Sequence, residues 1–157
     1  MLAAVLVFVV VALVRPPGPL DDPDPAFQRD GLLLDGPVVD REVAGVDFGG
    51  RAVVLLFVRE PPDRRALADW AGNVPDPAQV QVQVVVPRPN LTDLGLPVVV
   101  DPLNRLAEAV GMPTPIDGGR PVGYAVVDSG RTVRYATLDP QYLRNGFEVS
   151  TIVGAVR

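Results

Sequence analysis

The chain has 157 residues, of which 48% are apolar, a formal net charge of −5 and an isoelectric point of about 4.6. That length fits one domain plus a tail, and an acidic chain without a stripe of basic and aromatic residues does not favour nucleic-acid binding. With neither cysteine nor histidine, the chain can supply no disulfide, thiolate nucleophile or Cys/His metal site, and no cofactor is expected.

The sequence begins with an unbroken apolar run, Met1 to Val14, followed by Arg15 and two prolines. The run is shorter than the roughly 20 residues of a membrane span and lies within the roughly 7–15 residues of a signal-peptide core. It lacks a basic residue before it, a small-residue cleavage motif after it and any amphipathic period. We therefore predict an uncleaved membrane anchor over residues 1–15, with a cleaved signal peptide and a buried core segment as alternatives.

Residues 16–30 are rich in proline and aspartate, which favours an extended, solvated linker. The acidic residues there are too few, and the prolines too many, for a calcium site. The folded domain is expected over residues 31–157. We expect a single-pass protein of the cell membrane with its soluble domain outside the cytoplasm, although the isolated Arg15 alone would favour the opposite orientation.

The first predicted elements of the domain are a strand, a helix and a second strand. The apolar run Val53–Val58 predicts a strand buried on both faces. Residues 63–71 predict a helix with Asp63 as N-cap and Trp70 in the core. Residues 79–86 alternate between glutamine and valine and then become apolar, which predicts a strand whose glutamines face solvent.

The third strand and second helix are predicted from one continuous segment. Residues 96–101 are apolar up to Asp101, and residues 102–110 carry apolar side chains at helical spacing. Asp101 is predicted to cap this helix, with Pro102 at its first position.

A hairpin and a closing helix complete the pattern. Residues 122–128 and 131–137 predict antiparallel strands joined at Asp128-Ser129-Gly130. The segment after Asp139-Pro140 predicts a helix broken near Gly146. Parallel βαβ units followed by an antiparallel hairpin and a closing helix predict an α/β sandwich with a mixed central sheet.

The loop after the first strand carries the most distinctive motif. Gly49-Gly50-Arg51 leads into that strand, and residues 59–64 read Arg-Glu-Pro-Pro-Asp-Arg. Together they resemble the membrane-tethered thioredoxin-like and peroxiredoxin-like (AhpC/TSA, TlpA-type) proteins of bacteria, whose active-site loop reads Trp-Cys-Pro-Pro-Cys-Arg. Glu60 and Asp63 stand where that family has its two cysteines.

Two further segments extend the resemblance over roughly Gly36 to Arg157. Residues 101–111 are similar to the peroxiredoxin pattern of an aspartate, an alanine six positions later and a glycine four beyond that. Residues 120–131 are similar to the family's cis-proline strand and hairpin, although their spacing is one residue longer. The resemblance implies a thioredoxin-like fold in which Pro121 is the cis-proline and faces Glu60 and Asp63.

The resemblance does not carry the family's activity with it, because peroxide reduction and dithiol exchange both need a thiolate. We predict a non-catalytic pseudoenzyme that binds a protein or peptide partner through its degenerate active-site face, which comprises Glu60, Pro61, Pro62, Asp63, Arg120 and Pro121. The prediction leaves the oligomeric state open.

Two other functions remain open at this point. Glu60 and Asp63 could act as a general acid–base pair or bind a hard divalent cation, although a solvated loop charge and an N-cap are simpler interpretations of them. The chain could also be an accessory subunit beside a thiol oxidoreductase or a cytochrome maturation system. An oxidoreductase label would then describe only its fold.

Overall fold

The computed structural model describes residues 31–40, 45–91 and 93–156. Within them lie five strands, β1 (Ala52–Phe57), β2 (Val80–Val86), β3 (Val98–Val100), β4 (Gly123–Val127) and β5 (Val133–Leu138). The α-helices are α1 (Arg64–Ala71), α2 (Arg105–Ala109) and α3 (Gly146–Val156), with short 3₁₀ turns at Pro89–Leu91 and Tyr142–Arg144. The predicted anchor and linker lie outside the described residues, in which no helix has the length and apolarity needed to cross a membrane.

The strands form one mixed sheet in the order β3-β2-β1-β4-β5. The neighbours β1 and β2, and β2 and β3, are parallel, whereas β4 is antiparallel to both β1 and β5. The carboxyl ends of β1, β2 and β3 therefore meet at one edge of the sheet, where β4 begins. This arrangement confirms the predicted order of elements and the predicted mixed α/β sheet.

Helices cover both faces of the sheet. On one face, Leu67 and Trp70 of α1 and Ile152 of α3 pack against inward-facing side chains of β1 and β4. On the other face, Leu106 and Ala107 of α2 pack against the alternate residues of the same strands. This double coverage explains the unbroken apolar run of β1, because successive side chains of a strand point to opposite faces.

Trp70 is a core residue, as predicted, with 1% of its surface exposed. Its ring meets those of Tyr124 and Tyr142 edge-on, at centroid distances of 6.1 Å and 5.9 Å. The hydroxyls of Tyr124 and Tyr135 both donate to Glu148 of α3. This aromatic cluster joins α1, α3 and the hairpin into one packed layer.

The prediction that the glutamines of β2 face solvent is wrong for Gln83, which is 2% exposed. Gln83 pairs with Leu55 of β1, so its side chain lies on the face of the sheet that residues 46–48 and α2 cover. The Gln83 side-chain amide donates to the backbone oxygen of Asp47 at 2.7 Å, which satisfies one polar group that burial would otherwise leave unpaired.

The second helix starts later than predicted, at Arg105 rather than Pro102. Asn104 takes a left-handed conformation with φ of 59° and so interrupts a helix that would otherwise run on from Pro102. Asp101 still caps α2, as predicted, but from four residues before its first residue: its carboxylate accepts from the backbone N–H of Arg105 at 2.9 Å and of Leu106 at 3.0 Å.

The predicted hairpin and the predicted break near Gly146 are confirmed. One carboxylate oxygen of Asp128 accepts from the backbone N–H groups of Gly130 and Thr132, both at 2.9 Å. The closing segment begins as the 3₁₀ turn, and α3 starts at Gly146, where a Cβ atom would lie 2.4 Å from the side-chain nitrogen of Asn73. The glycine therefore permits the close approach of the two segments.

Residues 33–39 pair with the start of β5 and with the turn that precedes it. Backbone hydrogen bonds join Leu33 to Arg134, Pro37 to Val133 and Val39 to Arg131, at 2.8–2.9 Å. The sequence pattern did not predict this pairing. It protects a sheet edge that would otherwise expose unpaired backbone groups.

Candidate functional site

An open cleft of about 410 Å³ lies at the carboxyl edge of the parallel strands. We call it the arginine cleft, and it is lined by Arg59, Glu60, Pro87, Arg88, Gly119 and Arg120. These residues come from three loops, one after β1, one after β2 and one before β4. Open α/β sheets commonly bind ligands outside the carboxyl ends of their strands, so the position favours a binding site.

Arg59 is held by a two-pronged pair with Asp117. Its Nη1 and Nη2 donate to the two carboxylate oxygens at 2.6 Å and 2.9 Å, and its Nε donates to the backbone oxygen of Arg120 at 2.5 Å. The hydrogen bonds from Arg59, and one from the backbone of Gly119, lower the pKa of Asp117 to about 2. The same pair raises the pKa of Arg59. The guanidinium is thus oriented and permanently charged.

Gly119 allows Arg59 to take this position. A Cβ atom at residue 119 would lie 2.8 Å from Nη2 and 2.9 Å from Cζ of Arg59. Any larger residue would therefore push the guanidinium away and disturb its pairing with Asp117.

Arg120 is fixed in a different way, by oxygens that carry no net charge. Its Nη1 donates to the backbone oxygen of Asp101 and to the side-chain oxygen of Asn104, both at 2.7 Å. Its Nη2 donates to the backbone oxygen of Pro102. Among the described residues, no carboxylate forms an ion pair with Arg120, so its charge is oriented but not neutralised by direct pairing.

The two carboxylates considered as a catalytic or metal-binding pair have separate partners in the structure. Asp63 is the N-cap of α1, with its Oδ1 accepting from the Ala66 N–H at 2.9 Å. Glu60 lines the arginine cleft and lies 3.8 Å from Arg88, with their side chains 79% and 60% exposed. No group of three acidic residues suited to a metal ion occurs among the described residues.

The hypothesis that Pro121 is a cis-proline is wrong, because no peptide bond in the described segments is cis. The trans form is the default even before proline, by about 0.5–1 kcal/mol. Pro121 is buried at the bottom of this edge beside Phe57 and Val58. The residue before it, Arg120, is the one that lines the cleft.

The structure therefore brings together Glu60 and Arg120 of the predicted face and places the others around them. Pro61 is exposed and Pro62 half-buried on the loop that leads to α1. Sequence reasoning missed four contributors, which are Arg59, Arg88, Asp117 and Gly119. One signal was available, since an arginine follows each of two predicted strands at or near its carboxyl end.

The cleft thus belongs to a domain with the thioredoxin-like fold, which confirms that part of the prediction, and the domain carries no cysteine. The chain is similar to the solved structure of Mycobacterium tuberculosis AhpC, with a TM-score of 0.52 and 16% identity over 82% of this chain and 90% of that one. It is also similar to Xanthomonas campestris peroxiredoxin Q, with a TM-score of 0.51 and 16% identity over 68% and 79% of the two chains.

A further similar structure is peroxidoxin BcpB from Mycobacterium tuberculosis, with a TM-score of 0.51 and 15% identity over 82% of this chain and 97% of that one. No protein-family model matches the chain, and no curated protein matches it. At these identities the likeness establishes the fold alone, because one fold hosts many functions.

Proposed function

We propose that this chain is a non-catalytic, thioredoxin-like binding module that holds an extended segment of a partner protein in the arginine cleft. We further propose that its N-terminal apolar run keeps it at the cell membrane, with the domain outside the cytoplasm. The observation that carries the proposal is the position of the cleft at the carboxyl edge of β1 and β2. The chemistry of its lining supports binding over catalysis.

The cleft residues suit binding more than bond making. The lining comprises arginine, glutamate, proline and glycine, and the chain has no cysteine to act as a thiolate nucleophile. Asp63 is engaged in capping α1 and Glu60 pairs with Arg88. Each carboxylate therefore has a partner of its own, which favours binding over acid–base catalysis.

The arginines retain donors for a ligand. A guanidinium has five N–H groups, and the hydrogen bonds described above use three in Arg59 and three in Arg120. Two donors on each side chain are left for carbonyl or carboxylate oxygens of a bound segment. Because both guanidinium groups are already oriented, little side-chain entropy is lost on binding.

The test is crosslinking and mass spectrometry on the full chain in its native membrane. The cleft variant is Glu60→Ala/Arg88→Ala, which removes one charge of each sign from exposed side chains. The matched control is Asp47→Ala/Arg51→Ala, which removes the same two charges just before β1, at the opposite end of that strand.

We expect specific partners in the wild type and in the control, and their loss in the cleft variant. Identical partner sets in all three proteins, or no partner in the wild type, would contradict the proposal. The identity of the partners would also test the accessory role beside a thiol oxidoreductase, because a cysteine-bearing partner is expected in that case.

A further inference from the structure

The charge in the arginine cleft is opposite to that of the chain as a whole. The lining contains three arginines and one glutamate, whereas the whole chain has a formal net charge of −5. Asp117 pairs with Arg59, and Glu60 is the only acid that lines the cleft itself. An acidic protein that concentrates arginine in one cleft provides a local site for an anion.

Arg120 is the arginine of the cleft best suited to bind an anion. Its three hydrogen bonds go to neutral oxygens, so they fix the plane of the guanidinium without cancelling its charge. Asp101, whose backbone oxygen accepts from Arg120, has its carboxylate already engaged by the backbone N–H groups of α2. A fixed guanidinium with two donors left is suited to a carboxylate, which it can bind with two parallel hydrogen bonds.

Arg88 adds a second, adjustable charge. It lies 3.8 Å from Glu60, beyond hydrogen-bond distance, and its side chain is 60% exposed. Exposed pairs of this kind contribute little to stability. Arg88 can therefore turn from Glu60 to an incoming anion at little cost.

Exposed apolar side chains stand on the two loops that carry the partners of these arginines. Leu103 is 64% exposed and follows Pro102, whose backbone oxygen accepts from Arg120. Ile116 is fully exposed and precedes Asp117, which pairs with Arg59. An anion bound by the arginines would thus have apolar surface on two neighbouring loops.

We infer that the arginine cleft recognises the side-chain carboxylate of an acidic residue that has apolar neighbours in an extended peptide segment. The inference rests on the proposed function and names the chemistry of its ligand. The positive charge of the cleft favours a carboxylate as ligand. Exposed apolar side chains on two separate loops favour a carboxylate with apolar residues on both sides, which is an internal residue and not a chain terminus.

The test uses the full chain in detergent and three pentapeptides, of which the first two are blocked at both ends. The first has a central glutamate between valine and leucine residues, the second has glutamine in its place, and the third has the glutamine core with a free terminal carboxylate. Affinities are measured by calorimetry for the wild type, Arg88→Ala, Arg120→Ala and the control Arg51→Ala, whose side chain bonds Gln81 near the start of β2.

We expect the glutamine peptide to bind the wild type about tenfold more weakly than the glutamate peptide, because the charge-assisted hydrogen bonds are lost. Arg88→Ala should weaken only the glutamate peptide, and Arg51→Ala should change neither. Within the described residues, the Arg88 side chain forms an ion pair with Glu60 alone, so this variant keeps the inference testable if Arg120→Ala disturbs the loop around Asn104.

The remaining outcomes show whether carboxylate recognition fails alone or together with peptide binding. Equal affinity of the two blocked peptides, with weaker binding of both by the arginine variants, would overturn carboxylate recognition and leave the peptide-binding function standing. Preference for the free terminal carboxylate would overturn the internal residue. Binding of neither peptide, or binding unchanged in every variant, would count against the cleft as a peptide site and against its carboxylate chemistry together.

Discussion

Replacing Asp101 with alanine should destabilise the domain more than any exposed acid would. Asp101 is 3% exposed and follows β3, and its carboxylate accepts from the N–H groups of Arg105 at 2.9 Å and Leu106 at 3.0 Å. A lost N-cap costs about 1 kcal/mol. A buried donor left unsatisfied costs about 1–3 kcal/mol, so we expect a total loss of about 2–4 kcal/mol in unfolding free energy.

The Asp101→Asn variant provides an internal scale. An asparagine keeps one acceptor oxygen and can satisfy one of the two strong bonds, so about half the loss should be recovered. The assay is urea unfolding of the full chain in detergent, followed by the fluorescence of Trp70, the single tryptophan. Asp93→Ala serves as control, because the Asp93 side chain is 89% exposed and pairs with Arg64 at the surface.

The capping role of Asp101 would be refuted if the unfolding free energy of Asp101→Ala stayed within about 0.5 kcal/mol of the wild-type value, the range of ordinary surface changes. It would also be refuted if the asparagine and alanine variants were equally unstable. A loss matched by Asp93→Ala would point to a general effect of acidic charge and not to the cap of α2.

Three smaller effects are also expected. Asp117 should titrate near pH 2 by carbon-13 NMR, against an ordinary pKa of 3.8. The stability that its carboxylate contributes should be present above pH 3.8 and lost as the pH falls through about 2. An Asp117→Asn variant that loses the same stability in acid would contradict this. Gly119→Ala should displace Arg59 and return the pKa of Asp117 towards its ordinary value in the same titration, and an unchanged titration would show that the ion pair adapts. Burial and the nearby charge of Asp139 raise the pKa of Tyr142 from 10.0 to about 12, so the unfolding free energy should fall more between those pH values in the wild type than in Tyr142→Phe. Equal alkaline profiles would place the titrating group elsewhere.

The order of elements could be predicted because each depends on a local signal. β1 is apolar on both faces, α1 has a capping aspartate at Asp63, and the hairpin turns at an aspartate followed two residues later by glycine. These signals are present within a few residues of sequence. At Gln83, exposure depends on residues that are distant in sequence, and the alternating pattern therefore predicted the wrong exposure.

The arginine cleft was only partly predictable for the same reason. Glu60 and Arg120 were found through two separate segments, residues 59–64 and 120–131, that resemble segments of a known family. Arg88 comes from a separate loop, and its place in the cleft depends on the parallel register of β1 and β2. The groups that fix Arg120 include the backbone oxygens of Asp101 and Pro102, and no pattern of side chains reveals backbone acceptors.

The strip of chain along β5 has a mechanical consequence. A pull on the chain ahead of residue 31 would act first on the hydrogen bonds that join Leu33 and Pro37 to the start of β5. These bonds lie at one edge of the sheet, and β4 separates them from β1 and β2, which end at the arginine cleft. Tension from that side would therefore reach the far edge of the sheet before it reaches the strands that form the cleft.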